Sequence, residues 1–539
     1  MKFHAGLARA LRDNGADTMS GLIGDANLYM VDSFVRECGG RYIGAANEAG
    51  ATLMALGYAS VSGRVGVATV THGPALTNTL TALCEGVKGS ASIVLVCGDT
   101  PVEDRDHFQN LPQRELVVAT GAGFEQLRTP ATIAEDVATA FRRAVVERRP
   151  IVLNVPAEFQ WLDVEYRPVR LRIPDRRGVA PSSADLDDAI GIIAAAKRPV
   201  IVAGRGAVGG DAKQALLRLA ARIDAPLTTT LKAKDLFRGE KFDLGVMGTV
   251  STQVAVDAIL ASDCLIAFGS SLNTRTTSNG TFLEGKRVVQ VNAEQSEVGR
   301  TVRADAGVVG DPALVADLIA HWLDEIEAAP SGYRGQDLDC RLRSYSALDG
   351  TVDTGHDGTV DLTRALLRLD DLVPVDRILV TDAGRFFNKT VKAIRVLDPS
   401  LFVYTINSGS IGLGMAEAIG AASAAPDRPI LLVTGDGGFM LGGLAEFNTA
   451  VRSGTDLIVV ICNDGSYGAE HVQFRNRQMD PSLTVFDWPD FAAVATALGG
   501  AGVTVRTLSD LDRAADAIGR RDRPLLIDLR LDPELVTRD

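Results

Sequence analysis

Short apolar runs, each followed by a stretch with helical spacing, recur along the whole chain, and this alternation limits the fold more than any other feature. Such runs read as strands buried on both faces, because a strand with one face in water would alternate polar and apolar residues. Strands separated by helical patterns imply crossover connections and hence parallel sheets. In the first block the runs are 18–23, 42–46, 66–70, 92–97 and 150–155, with helical stretches at 48–60 and 75–86. The second block carries runs at 200–203, 227–230, 264–268 and 288–291. The third carries 377–381, 401–405, 430–433, 457–462 and 525–529. Two polar stretches divide the blocks and are expected to be linkers. One, around Asp163 to Ser183, contains Pro168, Pro174 and Pro181; the other, Pro330 to Thr359, contains Gly332, Gly335, Gly350 and Gly355. The expected fold is α/β, with three consecutive doubly wound parallel-sheet domains at residues 1–165, 184–329 and 360–539. No short-period repeat is visible.

Composition narrows the function classes. A chain of 539 residues is long enough for three or four cores of about 150 residues each. With 46% hydrophobic and 23% charged residues it has the make-up of a soluble globular protein. The net charge of −13 argues against a nucleic-acid partner, which needs clustered Lys and Arg. The six cysteines form no CxxC pair and no metal spacing with histidine, as suits a reducing cytoplasm. The N-terminal residues Met1 to Leu7 lack a signal-peptide core, and no run approaches the roughly 20 apolar residues of a membrane helix. A cytoplasmic protein without a membrane partner is expected.

The most specific chemistry sits in the third block. The run 430–434 ends in Gly435-Asp436-Gly437, and the run 457–462 ends in Asn463, with Leu444, Phe447, Ala450 and Val451 at helical spacing between them. This is a strand-helix-strand crossover with an acid and an amide at the carboxyl ends of its two strands, the edge where open α/β sheets bind ligands. A carboxylate, an amide oxygen and a backbone carbonyl make a hard-oxygen set suited to Mg²⁺ that shares phosphate oxygens. The glycines allow backbone amides to approach a diphosphate at a helix start. Taken alone, a GDG after a strand also describes a tight turn.

The stretch from Asp436-Gly437 to Asn463-Asp464-Gly465 resembles the diphosphate and metal motif of thiamine-diphosphate-dependent enzymes. The three-block order is similar to that of the acetohydroxyacid synthase and 2-oxo-acid decarboxylase group. The resemblance implies that Asp436, Asn463 and the Gly465 carbonyl hold Mg²⁺ and that Gly437 and Gly438 lie under the diphosphate. It further implies that Glu48, in Asn47-Glu48-Ala49-Gly50, hydrogen-bonds the cofactor's aminopyrimidine, since that ring assists removal of the C2 proton only when an acid shares its N1′. Otherwise Glu48 is an ordinary first-turn acid favoured by the helix dipole.

In Asn407-Ser408-Gly409-Ser410-Ile411-Gly412, the resemblance makes Ile411 the apolar wedge that bends the cofactor, with Ser410 beside it; a core isoleucine is the alternative. Thr71-His72-Gly73-Pro74 to Asn78 resembles the turn beside the pyrimidine, with Pro74 and Asn78 at matching positions. His72 stands where the synthases carry a small residue, and is read either as an acid or base at the substrate or as a structural histidine. Asp25 occupies the place of a catalytic acid in pyruvate-decarboxylase-like enzymes, yet the adjacent histidine pair of those enzymes is missing from the sequence. His107-Phe108-Gln109 is closer to the Phe-Gln segment of the synthases, making His107 and Gln109 candidates. Gly384, Arg385, Ser466 and Tyr467 flank strand ends and are candidate diphosphate or substrate contacts, with a surface salt bridge as the other reading of Arg385.

In the second block, Gly204-Arg205-Gly206-Ala207-Val208-Gly209 is a formal dinucleotide fingerprint read as opening a helix. No acid follows a second strand at the expected place. The segments 248–251 and 270–273 depart from the synthases' FAD pattern, so FAD is disfavoured. The expected enzyme uses thiamine diphosphate and Mg²⁺ to decarboxylate a 2-oxo acid and ligate the product to a second carbonyl, as in acetolactate synthesis. Aldehyde-releasing decarboxylation, a CoA-linked lyase and a C–C hydrolase of the same superfamily are the alternatives. Outside catalysis stand a cofactor-binding regulatory subunit and a plain nucleotide-binding protein. The resemblance also implies a homodimer or homotetramer whose sites lie at a dimer interface.

Overall fold

The computed structural model describes residues 1–104, 106–169, 178–349, 353–356 and 358–535. It contains three six-stranded parallel sheets flanked by helices. The first comprises β1 (Thr18–Gly21), β2 (Arg41–Gly44), β3 (Gly66–Val70), β4 (Ile93–Asp99), β5 (Gly123–Gln126) and β6 (Ile151–Pro156), in the order β2-β1-β3-β4-β6-β5. The second comprises β7 (Pro199–Ala203), β8 (Leu227–Thr229), β9 (Asp243–Val246), β10 (Cys264–Phe268), β11 (Arg287–Asn292) and β12 (Ala306–Val309), in the order β12-β11-β10-β7-β8-β9. The third comprises β13 (Ile378–Thr381), β14 (Phe402–Tyr404), β15 (Ile430–Gly435), β16 (Leu457–Asn463), β17 (Ala501–Val505) and β18 (Leu525–Arg530), in the order β14-β13-β15-β16-β18-β17. The first and third sheets therefore share one topology, a duplication that no sequence period reveals. The chain divides into two compact units, one carrying the first and third sheets and the other the second.

Four strands were not legible as apolar runs: β5, β9, β12 and β17. All four lie at sheet edges. Their residues are only partly buried, in contrast to β15 and β16, so the apolar run that marks a doubly covered strand is absent from them. The helical stretch read at 75–86 is two helices, Pro74–Thr77 and Leu80–Gly89, broken at Asn78 and Thr79. The second polar stretch is not a bare linker. It contains the helix Gln336–Ser344, whose Leu338 is buried with Leu244, Met247 and Ile259 in the second unit's core. Pro174 and Gly350, assigned to the linkers, lie outside the described residues.

The helix Glu48–Ser62 starts cleanly because Asn47 Oδ1 caps the amide of Ala49 at 2.8 Å, and it ends at Gly63 in the left-handed region. It is apolar on nearly all sides because it is covered on two: by the first sheet and by the helix Gly414–Ala424 of the third. The two helices cross at reciprocal glycines. A Cβ on Gly57 would overlap the carbonyl of Glu417, and one on Gly420 would overlap that of Met54. Backbone against backbone is possible there only without side chains.

Candidate active site

Two groups of polar residues stand at the carboxyl ends of the first and third sheets. In the third, β15 runs directly into a short helical turn, Asp436–Gly438, followed by a wide π-turn, Phe439–Gly443, and the helix Leu444–Arg452. Asp436 is buried. Its Oδ1 accepts the Gly437 amide at 2.9 Å and its Oδ2 accepts the indole N–H of Trp488 at 3.0 Å. Asn463 ends β16 and is held by Asp528 of β18, whose carboxylate accepts the Asn463 Nδ2 at 2.9 Å. That bond orients the amide, leaving Oδ1 toward the Gly465 N–H at 3.2 Å, and the same amide also faces Asp436. Asp436, Asn463 and Gly465 are thereby brought together.

Burial and, after it, the facing Asp464 carboxylate push Asp436 up to about 7. A buried acid held this way is short of positive charge, and a divalent cation would supply it. Asp436 and Asn463 offer hard oxygens, and Gly437 and Gly438 offer bare backbone at a helical start. A Cβ at Gly437 would lie 2.6 Å from the Tyr467 ring, and one at Gly438 would lie 3.2 Å from an Asp382 oxygen. The residues fit a metal-bound diphosphate.

The surrounding residues brace this group. Asp382 is fully buried, pushed up to about 6 by burial, and accepts the amides of Ala383 (2.8 Å) and Gly412 (3.0 Å) and the Thr434 hydroxyl (3.1 Å). It pins the loop carrying Ser410 and the half-buried Ile411 beside Gly438 and Gly442. The Ser410 hydroxyl reaches only the carbonyl of Ile411, at 3.3 Å. Gly384 is exposed. Arg385 is not a surface salt bridge: its side chain is 2% exposed and its guanidinium donates to Asp464 and to the carbonyl of Pro533. Asp464 in turn accepts the amide and hydroxyl of the buried Ser466 at 3.0 and 2.7 Å. Arg385 and Ser466 thus shape the loop that bears Gly465. Tyr467 is 38% exposed and covers Gly437.

At the first sheet, Glu48 occupies the first turn of its helix, and its Oε2 accepts the Asn78 amide at 2.9 Å. The approach to that helix is fixed from the third sheet: the buried Glu446 accepts the amides of Ala46 and Asn47 at 3.1 and 3.2 Å. Beyond β3, Thr71 links two candidates. Its hydroxyl donates to Asp25 at 2.7 Å and stands 3.0 Å from His72 Nδ1. With the hydroxyl proton on the Asp25 side, Thr71 Oγ accepts from Nδ1–H and His72 Nε2 is the ring's free base. His72 is 1% exposed, and burial lowers its pKa against the opposing pull of Asp25. The His107 ring lies 5.3 Å from that of His72, so a histidine pair absent as sequence neighbours is assembled from two loops. Gly73, at φ 61°, precedes Pro74 at the helix start; a side chain there would overlap the carbonyl of Gln109, which places Gln109 beside the turn. Beneath them, Gln113 joins the Gly73 amide (2.7 Å), the Gly98 carbonyl (2.9 Å) and Asn154 (2.6 Å) in a buried network.

No hydrogen bond or ion pair among the described residues joins Glu48 to Asp436, Asn463 or Gly465 within the one chain. Three bracing residues escaped the sequence reading: Glu446, Trp488 and Asp528. Asp528 had a signal, a lone acid inside the apolar strand Leu525–Arg530, which a buried hydrogen bond must satisfy. Trp488 had none, because its partner is 52 residues away.

Three family models match in order: the thiamine pyrophosphate enzyme N-terminal TPP binding domain over residues 1–120, the central domain over 186–319, and the C-terminal TPP binding domain over 382–529. The chain is 26% identical to the acetolactate synthase large subunit of Corynebacterium glutamicum, over 97% of this chain and 85% of that one. It is 27% identical to the sulfoacetaldehyde acetyltransferase of Alcaligenes xylosoxydans xylosoxydans, over 97% and 92%. It is 26% identical to the acetolactate synthase isozyme 2 large subunit of Escherichia coli K12, over 98% and 95%. With the three models matched in sequence and relatives aligned over nearly the full length, the chain belongs to the thiamine-pyrophosphate-dependent enzymes and groups with the acetohydroxyacid synthases.

Proposed function

We propose that the protein is an acetolactate-synthase-like enzyme that decarboxylates a 2-oxo acid and ligates the product to a second carbonyl compound, using thiamine diphosphate and Mg²⁺. The observation that carries this reading is the convergence of Asp436, Asn463 and Gly465 over a glycine floor, in a chain that also presents Glu48 at a helix start. Asp436 and Asn463 oxygens and the Gly465 carbonyl hold the metal, and the backbone at Gly437 and Gly438 receives the diphosphate. The bound cofactor supplies the electron sink that makes loss of CO₂ feasible. Glu48, steadied by Asn78 and by Glu446 behind its helix, holds a proton at the pyrimidine end. Ile411, Pro74 and Asn78 shape the cofactor's seat.

Glu48 shares no hydrogen bond or ion pair with Asp436, Asn463 or Gly465 among the described residues, and we infer a homodimer or a dimer of dimers whose sites combine one protomer's Glu48 end with its partner's Asp436 end. Apolar side chains stand exposed at both ends, Phe108 at 89% and Leu483 at 83%. In the second unit, Gly204 and Gly206 are explained by packing against Gly269, and only a single 3₁₀ turn, Arg205–Ala207, precedes the α-helix that begins at Ala212. The fingerprint therefore does not open an α-helix, and the reading needs no FAD. None of the described helices is long and apolar enough to cross a membrane. The cysteines are all free, and a reducing cytoplasm is the compartment we assign.

A second reading draws on one observation. The set Asp25, Thr71, His72 and His107 is able to deliver a proton, with Gln109 alongside, which suits aldehyde release in place of ligation. Product analysis decides. The enzyme with thiamine diphosphate and Mg²⁺ is given a panel of 2-oxo acids, with and without ketone or aldehyde acceptors. Hydroxyketone products are expected; free aldehyde in the presence of acceptor would favour the second reading, and no CO₂ from any 2-oxo acid would remove both.

A further inference from the structure

Trp488 lies 25 residues beyond Asn463, in the connection between β16 and β17, and belongs to no motif identified above. Its indole N–H is nonetheless directed at Asp436 Oδ2 at 3.0 Å. The segment that carries it is fixed against the loop bearing Gly465. The Phe486 amide donates to the Gly465 carbonyl at 2.8 Å, the Tyr467 amide donates to the Thr484 carbonyl at 2.9 Å, and Ser466 and Val485 form an antiparallel bridge. Both ends are anchored. On one side Thr484 stands against the buried His471, at 3.2 Å; on the other Asp490 caps the helix Phe491–Ala497 through the amides of Ala492 and Ala493. Trp488 stacks on Phe486, with centroids 4.7 Å apart and planes at 18°, and Phe486 meets the edge of Tyr467, which covers Gly437.

One short stretch, Thr484 to Trp488, therefore touches two of the three oxygen groups that Asp436, Asn463 and Gly465 provide. A carboxylate oxygen has two lone pairs, as does a carbonyl oxygen, so each accepts a hydrogen bond and still offers an electron pair to a cation. Donors arranged in this way fix the rotation of the ligating groups without occupying the cation's place. Hydrogen-bond partners of this kind orient metal ligands and change metal affinity by tenfold or more when removed.

We propose that Trp488 is a positioning residue for the divalent cation: its indole N–H sets the Asp436 carboxylate, and the Phe486 amide sets the Gly465 carbonyl, so that the aromatic segment holds the site in its ligating geometry. The inference rests on the proposed reading of Asp436 and Gly465 as metal ligands. Trp488→Phe keeps the ring and its stack and deletes only the N–H. Phe486→Leu keeps the backbone amide and weakens the stack.

The test measures Mn²⁺ binding to the full-length enzyme in the presence of thiamine diphosphate, by the loss of the free-ion electron paramagnetic resonance signal. The wild type is expected to bind, and Trp488→Phe is expected to raise the dissociation constant by about tenfold. Phe486→Leu is expected to change it by less, and saturating metal should restore most of the turnover of Trp488→Phe. Equal affinity in Trp488→Phe and wild type, with unchanged circular dichroism, would overturn the inference alone. Equal losses in the two variants would also overturn it, because packing and not the N–H would then be responsible. Absence of Mn²⁺ binding to the wild type, cofactor present, would overturn the proposed metal site itself.

Discussion

The first and third sheets follow the same strand order, and at matching positions they carry different chemistry. After β3 stands Thr71-His72-Gly73-Pro74; the equivalent β15 ends in Gly435 and is followed by Asp436-Gly437-Gly438. The last residue of β4 is Asp99, and that of the equivalent β16 is Asn463. On the proposed reading, bare glycines and a buried acid suit the third edge to a cation and a diphosphate. On the same reading, imidazoles, a hydroxyl and the half-exposed Glu48 suit the first edge to proton transfer. The backbone architecture is common to both, so the division of labour lies in the strand-end residues and not in the fold.

The two acids differ in the same sense. Asp436 is enclosed by the Gly437 amide, the Trp488 indole and the Gly465 amide of its own unit. Glu48 has one neutral neighbour, Asn78, and a surface open toward whatever covers it. Substituting Glu48→Gln removes the acid while leaving its shape, and is expected to cost about 10²–10⁴-fold in turnover with thiamine diphosphate binding retained by calorimetry. Wild-type turnover in that variant would erase the distinction between the two edges.

A smaller effect tests how the two sheets are joined. Gly420→Ala forces a methyl into the Met54 carbonyl and is expected to cost about 1–3 kcal/mol of stability in urea unfolding. Gly519→Ala is the control, because its helix position is open on the side a methyl would occupy, and it should be neutral or stabilising by up to about 1 kcal/mol. Equal outcomes would mean that the crossing of the two helices is looser than the glycines imply.

The smallest expected effect concerns pH. Asp436 is raised from 3.8 to about 7, so its contribution to the stability of the metal-free protein is complete below 3.8 and is lost as pH rises through about 7. A bound cation replaces that proton. The stabilisation conferred by Mg²⁺ with thiamine diphosphate should therefore be larger at pH 8 than at pH 6, by about 1 kcal/mol, read as the difference in Tm gain. A gain that falls with rising pH would contradict the assignment of Asp436.

Most of the architecture was open to inspection before any coordinates. Fourteen strands announced themselves as apolar runs, the twelve interior ones because both of their faces are covered, and the GDG and Asn ends of β15 and β16 marked one chemical edge. Four of the six edge strands did not, since a strand with one neighbour carries a mixed pattern. The second linker concealed a helix whose polar composition hides a single buried contact, Leu338.

What the sequence determined by itself was local and periodic: alternation, strand ends, helix starts, and a motif whose members lie within one crossover. Tertiary structure alone decided the relations between distant segments: Trp488 on Asp436, Asp528 on Asn463, Glu446 behind Glu48, and His107 beside His72. Each of these is a contact between side chains or amides separated by 35 residues or more, and no periodicity encodes it. It arises only when packed sheets and helices bring the segments together, and burial then makes each polar partner necessary.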